Sequence, residues 1–171
     1  SEALTFFSGG IAFLWRERGE SDSVERIEKC LIGCVQKLEE LKKFNTHDGK
    51  GFELLRKSGI KSGIITSEKT KIVENRANKL NVDYLYQGIE NNGKLLIAKE
   101  LCKKEKISLS EVAYIGDDIN CKEILSSVGI SGCPADALEE IKSINNIIQL
   151  NQTGGNGAVR EFINLILKEY S

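Results

Sequence analysis

Short apolar runs bounded by glycine or polar turns alternate with helix-like stretches along most of this chain. The sharpest is Val112-Ala113-Tyr114-Ile115, which runs straight into Gly116-Asp117-Asp118-Ile119-Asn120. Such a run reads as a buried strand carrying two carboxylates at its carboxyl end, with a helix following over 121–128. Upstream, the pattern predicts a strand over 60–66, a helix over 67–80, a strand over 83–86 and a helix over 94–105. Ser108 and Glu111 mark a brief further turn. Downstream come a short strand near 129–132, a helix over 137–144, an edge strand over 147–150 and a last helix over 158–169. That helix carries Val159, Phe162, Ile163, Ile166 and Leu167 on one face. Strands separated by helices imply parallel βαβ units, and so an α/β fold with a doubly wound parallel sheet.

The first quarter is patterned differently. Residues 4–15 form two short apolar pieces around Ser8-Gly9-Gly10. From Asp22 a helix is predicted, with Val24, Ile27, Leu31, Cys34, Leu38 and Leu41 at alternating spacings of three and four. Asp22 and Glu25 stand where a capping-box-like start would place them. This seam is too short for a self-sufficient coiled coil. It packs either on its own domain or on a neighbouring subunit. A loop over 45–49 and a short helix over 51–58, closed by Gly59, lead into the alternating region. The chain thus divides into an atypical segment, 1–41, and an α/β unit, 42–171, within one compact domain.

Composition narrows the function. Charged residues at 29% against a hydrophobic share of 40% fit a globular domain. The net charge of −1 offers no basic footprint for nucleic acid and no polybasic membrane signal. No apolar run reaches the roughly 18 residues of a membrane span. Cys30, Cys34, Cys102, Cys121 and Cys133 are odd in number and form no C-x-x-C pair. Reduced thiols in a cytoplasmic protein fit better than disulfides or structural zinc. His47, the single histidine, falls in a loop.

Three polar residues fall where apolar strands end. Thr66 follows Ile64-Ile65, Lys94 opens the helix after strand 83–86, and Asp117 follows strand 112–115. A hydroxyl, an ammonium and a carboxylate at one sheet edge can hold a phosphate and the cation that neutralises it, and Mg²⁺ suits such oxygen donors. Each residue also has a plain structural reading: Thr66 and Asp117 as helix caps, Lys94 as a solvated lysine. The Asp118 beside Asp117 would be either a supporting metal ligand or a cap.

The ordered motifs I-I-T-S-E-K-T, Y-Q-G…K, A-Y-I-G-D-D-I-N, P-A-D-A and G-G-N-G-A-V-R-E-F, with K-K-F-N-T-H-D-G-K-G before them, resemble the haloacid-dehalogenase superfamily. Within it the chain looks like the small-cap branch. That branch holds the 3-deoxy-octulosonate 8-phosphate phosphatases, the nine-carbon keto-sugar 9-phosphate phosphatases and the carboxy-terminal domain of some CMP-sialic acid synthetases. The resemblance runs from Lys42 to the end. It implies a doubly wound sheet with a minimal cap, Mg²⁺ as cofactor, a small keto-sugar phosphate as substrate and a homo-oligomer, most readily a tetramer. By the same resemblance Thr66 contacts the transferred phosphoryl group and Lys94 balances its charge. Asp117 holds Mg²⁺ with Asp118 in support. Ser67, Glu68 and Lys69 bind substrate, with Glu68 and Lys69 tuning sugar choice, and Arg160 belongs to a substrate-binding tail that closes over the site.

Against that family pattern the chain shows marked departures. The nucleophile of the family ends an early strand in D-x-D-G, yet no Asp precedes Asp22 here. Asp48 is a conceivable substitute in a different loop. Cys121 stands where the pattern often has Asp. The expectation is therefore a phosphatase by ancestry with little or no turnover, or a non-catalytic domain serving oligomerisation or ligand binding.

Overall fold

The structure, a computed structural model of the 171-residue chain, describes residues 15–16, 46–90 and 93–169. The seam over 22–43, the apolar pieces over 4–14, any cap built from them and the assembly they imply lie outside the described residues. Among these residues no helix is long and apolar enough to cross a membrane.

Strand β1, Trp15–Arg16, pairs antiparallel with β2, Ile60–Lys61. Helix α1 spans Thr46–Lys57. It starts inside the loop expected over 45–49, five residues before the helix expected from 51, with Asp48 supplying the negative charge that a first turn favours. The strand expected over 60–66 divides at Ser62. The Ser62 N–H donates to Asp83 Oδ2 at 2.6 Å, while its carbonyl accepts from the Asp83 and Tyr84 N–H groups. With Ser62 so engaged, β3, Gly63–Ile65, turns to a new partner and pairs parallel with β4, Tyr84–Tyr86. Helix α2, Lys71–Leu80, and helix α3, Gly93–Glu105, flank β4 in sequence.

A second parallel ladder holds β5, Ala113–Ile115, in the order β5-β6-β7 with β6, Ile130–Cys133, and β7, Ile148–Gln149. Helix α4, Lys122–Leu125, and helix α5, Glu139–Lys142, connect these strands, and α6, Ala158–Glu169, follows. The α/β architecture with parallel pairing is as expected, but in the described residues it forms two ladders rather than one. The brief turn at Ser108 is a capping box: Glu111 Oε2 accepts from the Ser108 N–H at 2.8 Å at the head of a 3₁₀ turn.

Both ladders share one core. Ile65 of β3 and Tyr114 of β5 are fully buried in a cluster with Leu101, Ile124, Cys133 and Ile141. The apolar face of α6 closes the other side, with Val159 and Ile163 on α1 and with Phe162 and Ile166 on β5. Each such side chain contributes roughly 1.5–3 kcal/mol when fully buried. Burial pushes the Cys102 and Cys133 thiols up to about 11, so both behave as small apolar residues.

One carboxylate gathers the start of the loop into α6. Glu161 accepts from the Asn151 N–H, the Asn151 side-chain amide at 2.7 Å and the Gln152 N–H at 2.9 Å. Partial burial opposes ionisation, but these donors outweigh it and hold the Glu161 carboxyl below its usual 4.5. A depressed carboxyl stabilises the fold above that usual value and loses the contribution as pH falls through the lowered one. Glu161→Gln is therefore expected to lower the urea midpoint at pH 7 and to differ less from the parent near pH 3. An equal gap at both pH values would contradict it.

Candidate active site

A cleft of about 350 Å³ opens where the carboxyl ends of β3, β5 and β6 meet the start of α3, and it is lined by Thr66, Ser67, Glu68, Lys94, Asp117, Asp118, Asn120, Asp136 and Leu138. Parallel strands place ligand sites at this edge. Six of the eight residues singled out in the sequence line it.

The plain structural readings fail for two of the three central residues. Thr66 is not a helix cap, because α2 begins only at Lys71 with Thr70 as its N-cap, accepting from Val73 N at 3.3 Å. The helix expected to start at Ser67 is thus shorter, and Ser67 and Glu68 stay in a turn at the cleft. Thr66, 2% exposed, accepts from the Glu68 N–H at 3.1 Å and is tied to β4 through the Tyr86 carbonyl.

Lys94 is not a solvated lysine: it is 3% exposed. It is also the second residue of a 13-residue helix whose first turn has no acidic residue. A cation there opposes the helix dipole, and burial raises the cost again. Its ammonium donates to Asn120 Oδ1 at 2.7 Å and Cys121 Sγ at 3.3 Å, and neither partner is a carboxylate. An anion in the cleft would offset both costs.

The Asp pair divides its roles. Asp118 is exposed and caps the 3₁₀ turn Ile119–Cys121 through the Ile119 N–H at 2.7 Å. Asp117 is half-buried, and its carbonyl accepts from the Leu138 N–H. Gly116 before it permits the tight approach: a Cβ there would sit 2.7 Å from Cys121 Cβ and 2.9 Å from the Tyr114 ring. Among the described residues no three carboxylate, histidine or cysteine groups gather as a metal cage. One or two carboxylates beside a phosphate pocket is nevertheless the usual protein share of a Mg²⁺ site, with water and phosphate completing the shell. The carboxylates lining the cleft fit that ion.

Two expected residues lie elsewhere. The Lys69 side chain lies over Gly88, and the Arg160 guanidinium donates to Asn164 while its N–H donates to Asp48 Oδ1 at 3.0 Å. Asp48 is 6% exposed in α1 and does not line the cleft. Asn120, Asp136 and Leu138 were not singled out. Asn120 and Asp136 sit within the quoted G-D-D-I-N and P-A-D-A runs, whereas nothing local marks Leu138. Asp136 Oδ1 accepts from the Gly154 N–H at 2.8 Å, tethering the glycine-rich loop over 153–157 to the cleft rim.

Comparison with known proteins places the chain in a family. Residues 90–163 match the haloacid dehalogenase-like hydrolase family. The 3-deoxy-D-manno-octulosonate 8-phosphate phosphatase of Yersinia pestis is 41% identical over 133 residues, which cover 75% of this chain and 67% of that enzyme. The chain belongs to the haloacid dehalogenase-like hydrolases. The corresponding Escherichia coli K12 phosphatase is 40% identical over 130 residues, with the same shares of the two chains covered. Among solved structures, the Yersinia pestis phosphatase superposes with a TM-score of 0.71 at 40% identity, covering 76% of this chain and 69% of that one. The Moraxella catarrhalis phosphatase, solved with magnesium, phosphate and the sugar acid KDO, gives 0.71 at 37% identity over 76% of this chain and 73% of that one.

Proposed function

We propose that the cleft takes the phosphate of a keto-sugar acid phosphate, of the octulosonate 8-phosphate or nonulosonate 9-phosphate type, together with Mg²⁺. The observation that carries this reading is the convergence of Thr66, a buried Lys94 and Asp117 on one cleft. The relatives' substrate, and the magnesium and phosphate in the Moraxella structure, support it.

The Lys94 ammonium and Thr66 hydroxyl bind and orient the non-bridging phosphate oxygens, concentrating charge stabilisation where phosphoryl transfer needs it. Ser67 and Glu68, at the mouth, contact the sugar. Asp117, with Asp118 in support, would hold Mg²⁺, which when bound would supply neutralisation of phosphate charge.

The same reading assigns the chain as given slow turnover or none. No Asp precedes Asp22, and Asp48, the substitute considered, accepts from the Arg160 N–H in α1 away from the cleft. Phosphate release from the two sugar phosphates with Mg²⁺ tests the point. The expected rate lies well below the roughly 1–10³ s⁻¹ of ordinary enzymes. A rate inside that range would place an active nucleophile in this chain.

A further inference from the structure

The turn that carries Thr66, Ser67 and Glu68 into the cleft is laced to the loop after β4. The Thr66 N–H donates to the Tyr86 carbonyl at 2.9 Å, and the Thr66 carbonyl accepts from the Ile89 N–H at 3.0 Å. The Glu68 carbonyl accepts from the Gly88 N–H at 3.2 Å. Gly88 makes that approach with φ at 71°, in the left-handed region that suits glycine. One side chain joins the lacing: the Thr70 N–H donates to Gln87 Oε1 at 3.0 Å. A backbone N–H can only donate, so Gln87 turns its oxygen to Thr70. In a helix started at Ser67, that same N–H would donate to the Thr66 carbonyl four residues back. Gln87 and Ile89 thus each hold one end of the bond that would draw 67–70 into α2.

We propose that Gln87 is a positioning residue: by taking the Thr70 N–H it keeps 66–70 an open turn, with Thr66 and Ser67 facing the cleft. The inference rests on the phosphate reading of this site and goes beyond it. It places part of the phosphate affinity in a side chain outside the cleft lining. The turn arranges both hydroxyls. Thr66 Oγ1 accepts from the Glu68 N–H at 3.1 Å, which leaves the hydroxyl hydrogen for a phosphate oxygen. Ser67 Oγ accepts from Asn120 Nδ2 at 3.2 Å, so the turn is tied to the residue that also receives the Lys94 ammonium. Without the Gln87 oxygen, the Thr70 N–H has no acceptor in the turn, since the Thr66 carbonyl faces Ile89. A part-buried donor left unpaired is costly. The turn then shifts to satisfy it, and Thr66 and Ser67 shift with it.

The test joins amide hydrogen exchange, read by NMR, with calorimetric titration of inorganic phosphate at saturating Mg²⁺, on the parent, Gln87→Leu and Gln87→Asn. Leu removes the acceptor at similar volume. Asn withdraws it by one methylene, and decides the matter if Gln87→Leu does not fold. In both variants the Thr70 amide is expected to exchange about tenfold faster or more, while the β5 amides keep the parent's protection, as a local opening requires. Phosphate binding is expected to weaken about tenfold, the scale of one hydrogen bond to a charged group. Parent-like affinity in a variant whose Thr70 amide has opened would overturn the proposal and leave the phosphate reading intact. A Thr70 amide that stays protected would also overturn it, whatever the affinity. So would an equal rise in β5 exchange, which would mean a general loss of stability. A parent that binds no phosphate would remove the phosphate reading and this role with it, while the exchange data would still report the Gln87 bond.

Discussion

Replacing Lys94 with Met is expected to weaken phosphate binding by roughly ten- to hundredfold, since a hydrogen bond to a charged group is worth about 1.5–3 kcal/mol. The same change should leave the melting temperature level or raise it. The ammonium is 3% exposed at a helix start and is held only by Asn120 and Cys121 among the described residues. Removing it relieves a desolvation cost and an unfavourable dipole contact, and Met fills a similar volume. A stabilised variant that has lost its ligand is the signature of a residue kept for binding rather than for the fold. Titration and a thermal melt on one preparation check both halves. A melting temperature several degrees lower, with phosphate affinity unchanged, would make Lys94 a structural residue.

The largest effect on stability is expected from Gly129→Ala. Gly129 lies between α4 and β6, where its N–H donates to the Leu109 carbonyl at 2.9 Å. A Cβ built there would lie 1.9 Å from the Ser110 carbonyl oxygen and 2.6 Å from its carbon. Those are backbone atoms, so no rotamer change relieves the clash, and the 3₁₀ turn at 109–111 must move away from the strand that follows it. Overpacking commonly costs about 1–3 kcal/mol and more where backbone must shift, so a loss of about 3 kcal/mol or more in urea unfolding is expected. Gly154→Ala is the matched control. Its nearest side-chain atom is 3.6 Å away, and a change within about 1 kcal/mol is expected there. Similar losses at the two positions would mean that the close approach at Gly129 carries no weight.

Most of the elements were legible because the hydrophobic period changes cleanly between strands and helices. Helix α6 agrees with its expected bounds, 158–169, because a five-residue apolar face leaves little freedom at either end. Helix α2 was read four residues too long. Thr66 and Thr70 are equally plausible caps on pattern alone, and only the fold shows Thr70 closing on Val73 while Thr66 accepts from Glu68. The break at Ser62 was illegible for a similar reason, since it depends on Asp83, 21 residues away. At the site, the positions of Thr66, Lys94 and Asp117 followed from strand ends. The burial of Lys94 did not, because a lysine on a helix gives no local sign of being enclosed. Its partners come from the 3₁₀ turn after Asp118, 26 and 27 residues further along. Leu138 reaches the cleft only because its N–H bonds to the Asp117 carbonyl.

The claim that Thr66, Lys94 and Asp117 form one phosphate site is tested most directly by a crystal structure grown with Mg²⁺ and inorganic phosphate. The account expects the anion within hydrogen-bond reach of Thr66 Oγ1 and Lys94 Nζ, with the cation on Asp117. A phosphate seated away from Lys94, or a cation that leaves Asp117 untouched, would contradict it.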